Sequence, residues 1–273
     1  MAVLLTRTIR FCVNDPIDET DWSAEISNSF AAWPTMCGFG RYYELDVTCR
    51  GEPDERTGYF INIKSIDDVV RREIIPFASR QILDEDQQQP IGFETLLQRI
   101  LERLNENLDE VVHEVCWRFT PFLSVSMKGD NMSKCIVRQQ FSFAASHRLH
   151  VTELSDEENR LVFGKCNNPS GHGHNYKLET AVEIDAQPLE NNNLPRPFDA
   201  TELEALVRET VIERFDHKNL NADCAEFAAL NPSVENIARV CYELLEPAVG
   251  NEGVALREVR LWETEKTSCT YPG

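Results

Sequence analysis

The chain has 273 residues, 42% hydrophobic and 27% charged, a globular mix long enough for one large domain or two ordinary ones. Its net charge of −19 excludes a surface that tracks nucleic acid, which needs a basic face. The longest apolar run, Met1 to Leu5, is far short of the about 20 residues of a membrane span and of the about 7–15 of a secretory signal core, so a cytoplasmic protein is expected. Nine cysteines, an odd number with no CxxC pair, do not read as a disulfide framework and fit a reducing compartment.

In chain order, LLTRTIRFCV and GFGRYYELDVT read as strands. Ser65 to Phe77 reads as a helix with Ile66, Val69, Val70 and Ile74 inward. Leu96, Leu97, Ile100, Leu101 and Leu104 mark a second helix. VVHEVCWRF and FLSVSM read as two further strands. Gly129-Asp130-Asn131 then forms a turn, which sets the expected domains at 1–130 and 131–273. The second stretch repeats the order. IVRQQFSFAA and HNYKLETAVEID are strands. Thr201 with Glu204 opens a helix carrying Leu203, Leu206, Val207 and Val211. A second helix from Ser233 buries Val234, Ile237, Val240, Cys241 and Leu244, and ALREVRLWET and KTSCTY close the half. Short echoes support a duplication: Gly38 to Tyr43 parallels Gly171 to Tyr176, Ser65 to Val70 parallels Glu202 to Val207, and Glu114-Val115 parallels Glu258-Val259.

The chemistry concentrates in the second half. His172 and His174 are i and i+2 on a strand, so both rings face one side. Gly173 between them leaves the approach open, and His147 follows a neighbouring strand. Three imidazoles without a fourth protein ligand are the donor set of a catalytic zinc site. An isolated HxH would more often be a pair of polar turn residues. Cys166 lies on the polar loop Gly164 to Pro169, beside Lys165, where a lowered pKa and a thiolate are expected; a buried inert thiol is the alternative. Asp216-His217 fits either an oriented proton shuttle or a histidine at a helix C-terminus. Glu263, near a strand end, could accept two hydrogen bonds from a guanidine-like edge or stand solvated.

Together these segments resemble the 6-pyruvoyl tetrahydropterin synthase family. The resemblance is carried by Phe141-Ser142-Phe143 with Ala145-Ser146-His147-Arg148-Leu149, Ser155 to Asn159, Phe163 to Lys177, Asp216 to Leu220, Glu235-Asn236 and Glu263-Thr264, and covers about residues 136–273. It implies an α+β fold of two tandem tunnelling-fold (T-fold) units. Each would be a four-stranded antiparallel sheet with two helices on one face, assembling into barrels. It implies that His147, His172 and His174 hold Zn2+, and that Cys166 is the general base with Asp216 and His217 as its proton relay. Glu263, Thr264 and Glu235 would bind a pterin triphosphate substrate, 7,8-dihydroneopterin triphosphate, which loses inorganic triphosphate. Arg148, Lys165, Lys177 and Lys218 beside these motifs could make the pocket locally basic. Ser233-Val234 departs from the two threonines that the family often has there. The segment from Glu263 to Cys269 also resembles the relative that makes 6-carboxy-tetrahydropterin, the alternative product; a non-catalytic zinc scaffold is the alternative of a different class.

The first half lacks the site. Phe39 and Arg41 stand at the His172 and His174 positions, Asp15 near His147, Trp33 nearest Cys166, Ser79-Arg80 at Asp216-His217 and Phe119 at Glu263. It is expected to be structural. Since family sites lie between units and the relay histidine can come from a neighbour, a homo-oligomer is expected, either a homotrimer with one barrel of second halves and one of first halves or a dimer of trimers.

Overall fold

The computed structural model describes residues 1–14, 36, 40–83, 92–186, 200–250 and 253–273. Asp15, Trp33 and Phe39 lie outside the described residues. Two compact units divide between Ile136 and Val137, inside one strand. No helix among the described residues is long and apolar enough to cross a membrane.

In the first unit, β1 (Val3–Val13), β2 (Arg41–Gly51), β3 (Val112–Thr120) and β4 (Leu123–Lys128) pair antiparallel in sequence order. Alternation buries Ile9, Phe11, Leu45, Val47, Val115, Trp117 and Val125. The other face carries charge: Glu44 pairs with Arg10 and Arg118, and Arg118 also with Asp46. The first helix, α1, runs Ile63–Val69, widens into a π-helical turn at Val70–Ile74, and continues as Ile75–Leu83. Asn62 caps it through its side chain. The second, α2 (Phe93–Asn107), buries Leu96, Leu97, Ile100, Leu101 and Leu104, the stripe its spacing indicates. Because Ile100 is wholly buried, Ile100→Ala is expected to cost about 2–5 kcal/mol of stability, read as a lowered midpoint in chemical denaturation.

In the second unit, β5 (Asn131–His147) borders β6 (His172–Asp185), followed in the sheet by β8 (Val254–Thr264) and β9 (Thr267–Pro272). A two-residue strand, β7 (Lys218–Asn219), lies parallel to β5 at Ala145 and Ser146. Between β5 and β6 stands α3 (Asp156–Phe163). The large helices are α4, running Ala200–Val207, a π-helical turn at Arg208–Ile212 and Glu213–Phe215, and α5 (Val234–Val249). α5 buries Leu245, four residues after buried Cys241, and leaves Leu244 half-buried. The expected stripe was one residue off at its end.

The two units share irregularities as well as order. Each first large helix carries a π-helical turn directly after the stretch whose sequences echo, at Val70–Ile74 and at Arg208–Ile212. The β2–β3 register slips between Thr48 and Cys49, and the β6–β8 register between Ala181 and Val182, which the Gly38/Gly171 echo makes equivalent. The β3–β4 register slips between Arg118 and Thr120, and β8–β9 between Trp262 and Thr264. Phe119 and Glu263 therefore sit in equivalent β-bulges. Bulges and π-turns are local interruptions of a hydrogen-bond ladder that chance similarity of fold does not require. Three at matching positions are what one unit copied twice would carry.

Candidate metal centre and active site

His147 is the last residue of β5. Phe143, Ala145 and His147 alternate inward, so this ring points to the buried face. On β6, His172 and His174 precede buried Tyr176 and Leu178 on one face. One ligand atom from each of the three histidines lies within 4.8 Å of the others. His147 Nε2 and His172 Nε2 are 3.2 Å apart. His174 Nε2 is buried without a hydrogen-bond partner. Such converging nitrogens are costly to bury unless something binds their lone pairs. Three imidazole donors suit Zn2+.

The tautomer is fixed on one ring. His147 Nδ1 lies 2.6 Å from the carbonyl of Pro232. A carbonyl only accepts, so Nδ1 carries the proton and Nε2 presents its lone pair. Burial lowers the pKa of His147 and of His174, which favours the neutral, ligating form. Gly171 sets the approach of β6: its φ is +69°, and a Cβ there would come within 3.0 Å of the His147 carbonyl oxygen. Gly173, expected to leave the approach to the two histidines open, alternates with them along β6.

Glu263, in its bulge, reaches the same place. Its Oε1 lies 3.4 Å from His147 Nε2 and 3.7 Å from His174 Nε2. Phe119, in the equivalent bulge of the first unit, instead stacks on Trp117 and touches Tyr43 and Phe93. An aromatic ring thus occupies, in the first unit, the position where the second holds the Glu263 carboxylate. Arg41 there donates to the Ile82 carbonyl.

Cys166 lies half-buried on a 3-10 turn, Gly164–Asn167, and its carbonyl accepts from the Leu149 N–H at 2.9 Å. The loop is tightly held. Asn167 donates to Leu149 O, and buried Asn159 donates to the carbonyls of Val151, Leu154 and Ser155 while accepting from the Val151 N–H. Ser155 and Glu158 form a reciprocal capping box on α3. The expected lowering of the Cys166 pKa is not what the protein's own groups produce: burial first, and then the Glu263 carboxylate, push the thiol up. Lys165 is adjacent in sequence, but its side chain is exposed.

Asp216 Oδ1 accepts from the Ala144 N–H at 2.8 Å, and Oδ2 lies 2.7 Å from His217 Nδ1. The Ala144 N–H holds the Asp216 carboxyl below its usual range. His217 has φ +58°, with its N–H on the Ala144 carbonyl. A left-handed non-glycine residue costs on the order of 1–3 kcal/mol and persists where the surroundings over-determine it. The imidazole is 83% exposed. It lines a groove of ≈400 Å³ together with Ala145, Ser146, Gly173, Asn175, Lys218 and His174, one of the three clustered histidines. Cys166 does not line that groove. Glu235, in the first turn of α5, is exposed and faces Cys269, whose thiol it helps raise after burial. Thr264 accepts from the Lys266 N–H in the β8–β9 turn. The sequence reading missed three contributors. The Pro232 carbonyl leaves no side-chain signal. Asn159 directly follows the Ser155-x-x-Glu158 capping signature. Buried Tyr176 packs 5.6 Å from His174 and 6.2 Å from His147, ring to ring.

Residues 136–273 match the family described as 6-pyruvoyl tetrahydropterin synthase. The chain belongs to the 6-pyruvoyl tetrahydropterin synthase family. It is 39% identical over 132 residues to the 6-pyruvoyl tetrahydrobiopterin synthase of Poecilia reticulata, covering 48% of this chain and 86% of that one. It is 37% identical over 145 residues to the enzyme of that name from Homo sapiens, covering 53% of this chain and 96% of that one. It is 26% identical over 153 residues to the 6-carboxy-5,6,7,8-tetrahydropterin synthase of Haemophilus influenzae, covering 50% of this chain and 96% of that protein. The histidine cluster is consistent with the zinc site of the 6-pyruvoyl tetrahydropterin synthase family.

Proposed function

We propose that the chain is a zinc-dependent 6-pyruvoyl tetrahydropterin synthase, converting 7,8-dihydroneopterin triphosphate to 6-pyruvoyl-tetrahydropterin with loss of inorganic triphosphate. The observation that carries it is the convergence of His147, His172 and His174 with Glu263 alongside, on the family-matched half of the chain. His147, His172 and His174 would hold the ion; zinc, when bound, polarises substrate oxygens and makes neighbouring C–H protons more acidic.

The remaining work belongs to side chains. Glu263 accepts hydrogen bonds from the amino-pyrimidine edge of the pterin, with Thr264 and Glu235 as further substrate contacts. Cys166 Sγ takes a proton from a side-chain carbon. Asp216 holds His217 at Nδ1, which leaves Nε2 to give or take a proton. As the proton moves, the C–O bond to triphosphate breaks and triphosphate leaves with the electron pair.

His217 lines a groove that Cys166 does not, which supports a relay completed by a second copy. We infer a homotrimer, or a dimer of such trimers, in which second units close one T-fold barrel and first units close another. The first unit, residues 1–130 in this reading, is structural, and residues 131–273 carry the chemistry. Barrel closure also removes exposed strand edges. The alternative product, 6-carboxy-tetrahydropterin, draws support from the Haemophilus influenzae likeness, which at 26% identity is weaker than the 37% to the human enzyme.

The test incubates the full chain with 7,8-dihydroneopterin triphosphate and identifies the product by mass. A 6-pyruvoyl product is expected. A 6-carboxy product would replace this reading with the alternative. No turnover by zinc-replete protein would leave a zinc-binding scaffold.

A further inference from the structure

Three of the six histidines form the cluster, and His217 belongs to the relay. His150 is in neither, yet its ring is tied to the loop that carries Cys166. It stands three residues beyond His147, just after the chain leaves β5. Its Nδ1 lies 3.1 Å from Nδ2 of Asn167, the residue next to Cys166.

The chemistry of that contact has one solution. Asn167 Nδ2 also lies 2.7 Å from the Leu149 carbonyl oxygen, which only accepts. The amide nitrogen is therefore on that side, with two N–H groups and no lone pair to offer. One N–H goes to Leu149 and the other to His150. Nδ1 of His150 must then present its lone pair, and the ring proton sits on Nε2. Asn167 is only 5% exposed, so loss of this acceptor would leave a buried N–H without a partner.

His150 is held from a second side. Its backbone N–H donates to Asn231 Oδ1 at 3.2 Å. The Asn231 carbonyl in turn accepts from the amide of Asn236, in the first turn of α5, at 2.8 Å. The next residue, Pro232, supplies the carbonyl that fixes His147. One short segment thus sets a ring of the histidine cluster and, through His150 and Asn167, the loop of the thiol.

We propose that His150 is a positioning residue for Cys166: its Nδ1 accepts from Asn167 and so fixes where the thiol stands relative to the three histidines. It acts through Asn167 rather than on the substrate. This rests on the synthase reading given above, in which Cys166 is the general base.

The test compares the full-length, zinc-loaded protein with His150→Leu, which keeps bulk and removes the acceptor, and His150→Asn, whose side-chain carbonyl can accept in place of Nδ1. kcat and KM are measured with 7,8-dihydroneopterin triphosphate. The rate at which iodoacetamide modifies Cys166, read on its peptide by mass spectrometry, needs no turnover. His150→Leu is expected to lower kcat by about 10–100-fold, the scale of misplacing a reacting group by on the order of 1 Å, with KM changed far less. It should also speed the alkylation by about fivefold or more, as loss of one buried hydrogen bond does to a local opening equilibrium. His150→Asn is expected to restore both. Wild-type kcat and alkylation in His150→Leu would overturn the assignment. So would a loss of about tenfold or more in His150→Asn, whatever the leucine variant does. Faster alkylation in His150→Leu alone, in a protein that never turns over the pterin, would sustain the positioning contact and sink the synthase reading.

Discussion

Cys166→Ala is expected to lower kcat by about 10²–10⁴-fold, the range of a lost general base, while zinc content stays at one ion per chain. Two structural facts separate these effects. The thiol is outside the trio of converging nitrogens, so its loss removes no ligand. The loop bearing it is held by backbone and asparagine hydrogen bonds that do not involve Sγ. The thiol's own surroundings hold its proton on: burial and Glu263 both raise its pKa. A cation bound by the nearby histidines opposes both. Metal removal should therefore raise the pH at which the thiol reacts with an alkylating reagent, and Glu263→Gln should lower it in the metal-free protein. Unchanged turnover in Cys166→Ala would take this residue out of the mechanism.

The second large effect is at the metal. His174→Ala is expected to weaken zinc binding by more than the about 10–100-fold typical of an outer-shell change, and to bring turnover to background. His174 Nε2 is buried and has no hydrogen-bond partner, so a bound cation satisfies a lone pair that is otherwise costly to bury. Two bound nitrogens cannot replace three, and the cavity left by alanine admits water. Zinc content by elemental analysis and competition with a chromophoric chelator measure the loss. Full zinc occupancy in His174→Ala would mean that other residues hold the ion.

Much of this was legible in the sequence because it depends on period. The α2 stripe, the inward face of β6 and the pairing of His172 with His174 follow from spacings of 3.6 and 2. The recurrence of element order was legible too. The repeated bulges and π-turns were not, since they depend on tertiary strain rather than on residue type. Glu263 shows the cost: as a strand residue it reads as solvated, and only the bulge turns it toward His147 and His174. The electrostatics of Cys166 went the other way from expectation for a related reason. Lys165 is its neighbour in the chain, but Glu263 is its neighbour in space. His217 was legible as a shuttle candidate, whereas its placement in one groove with Gly173 and His174 needed the pairing of β7 with β5.

The most direct measurement is X-ray absorption at the zinc edge of the intact protein. A catalytic site of three histidines gives a shell of nitrogen and oxygen scatterers at about 2.0–2.2 Å, with the outer-ring pattern of imidazole and no sulfur. That is the expected spectrum, with Cys166 free to act as a base. A sulfur scatterer at about 2.3 Å would mean that Cys166 closes the coordination sphere, and a closed site of that kind would contradict the synthase.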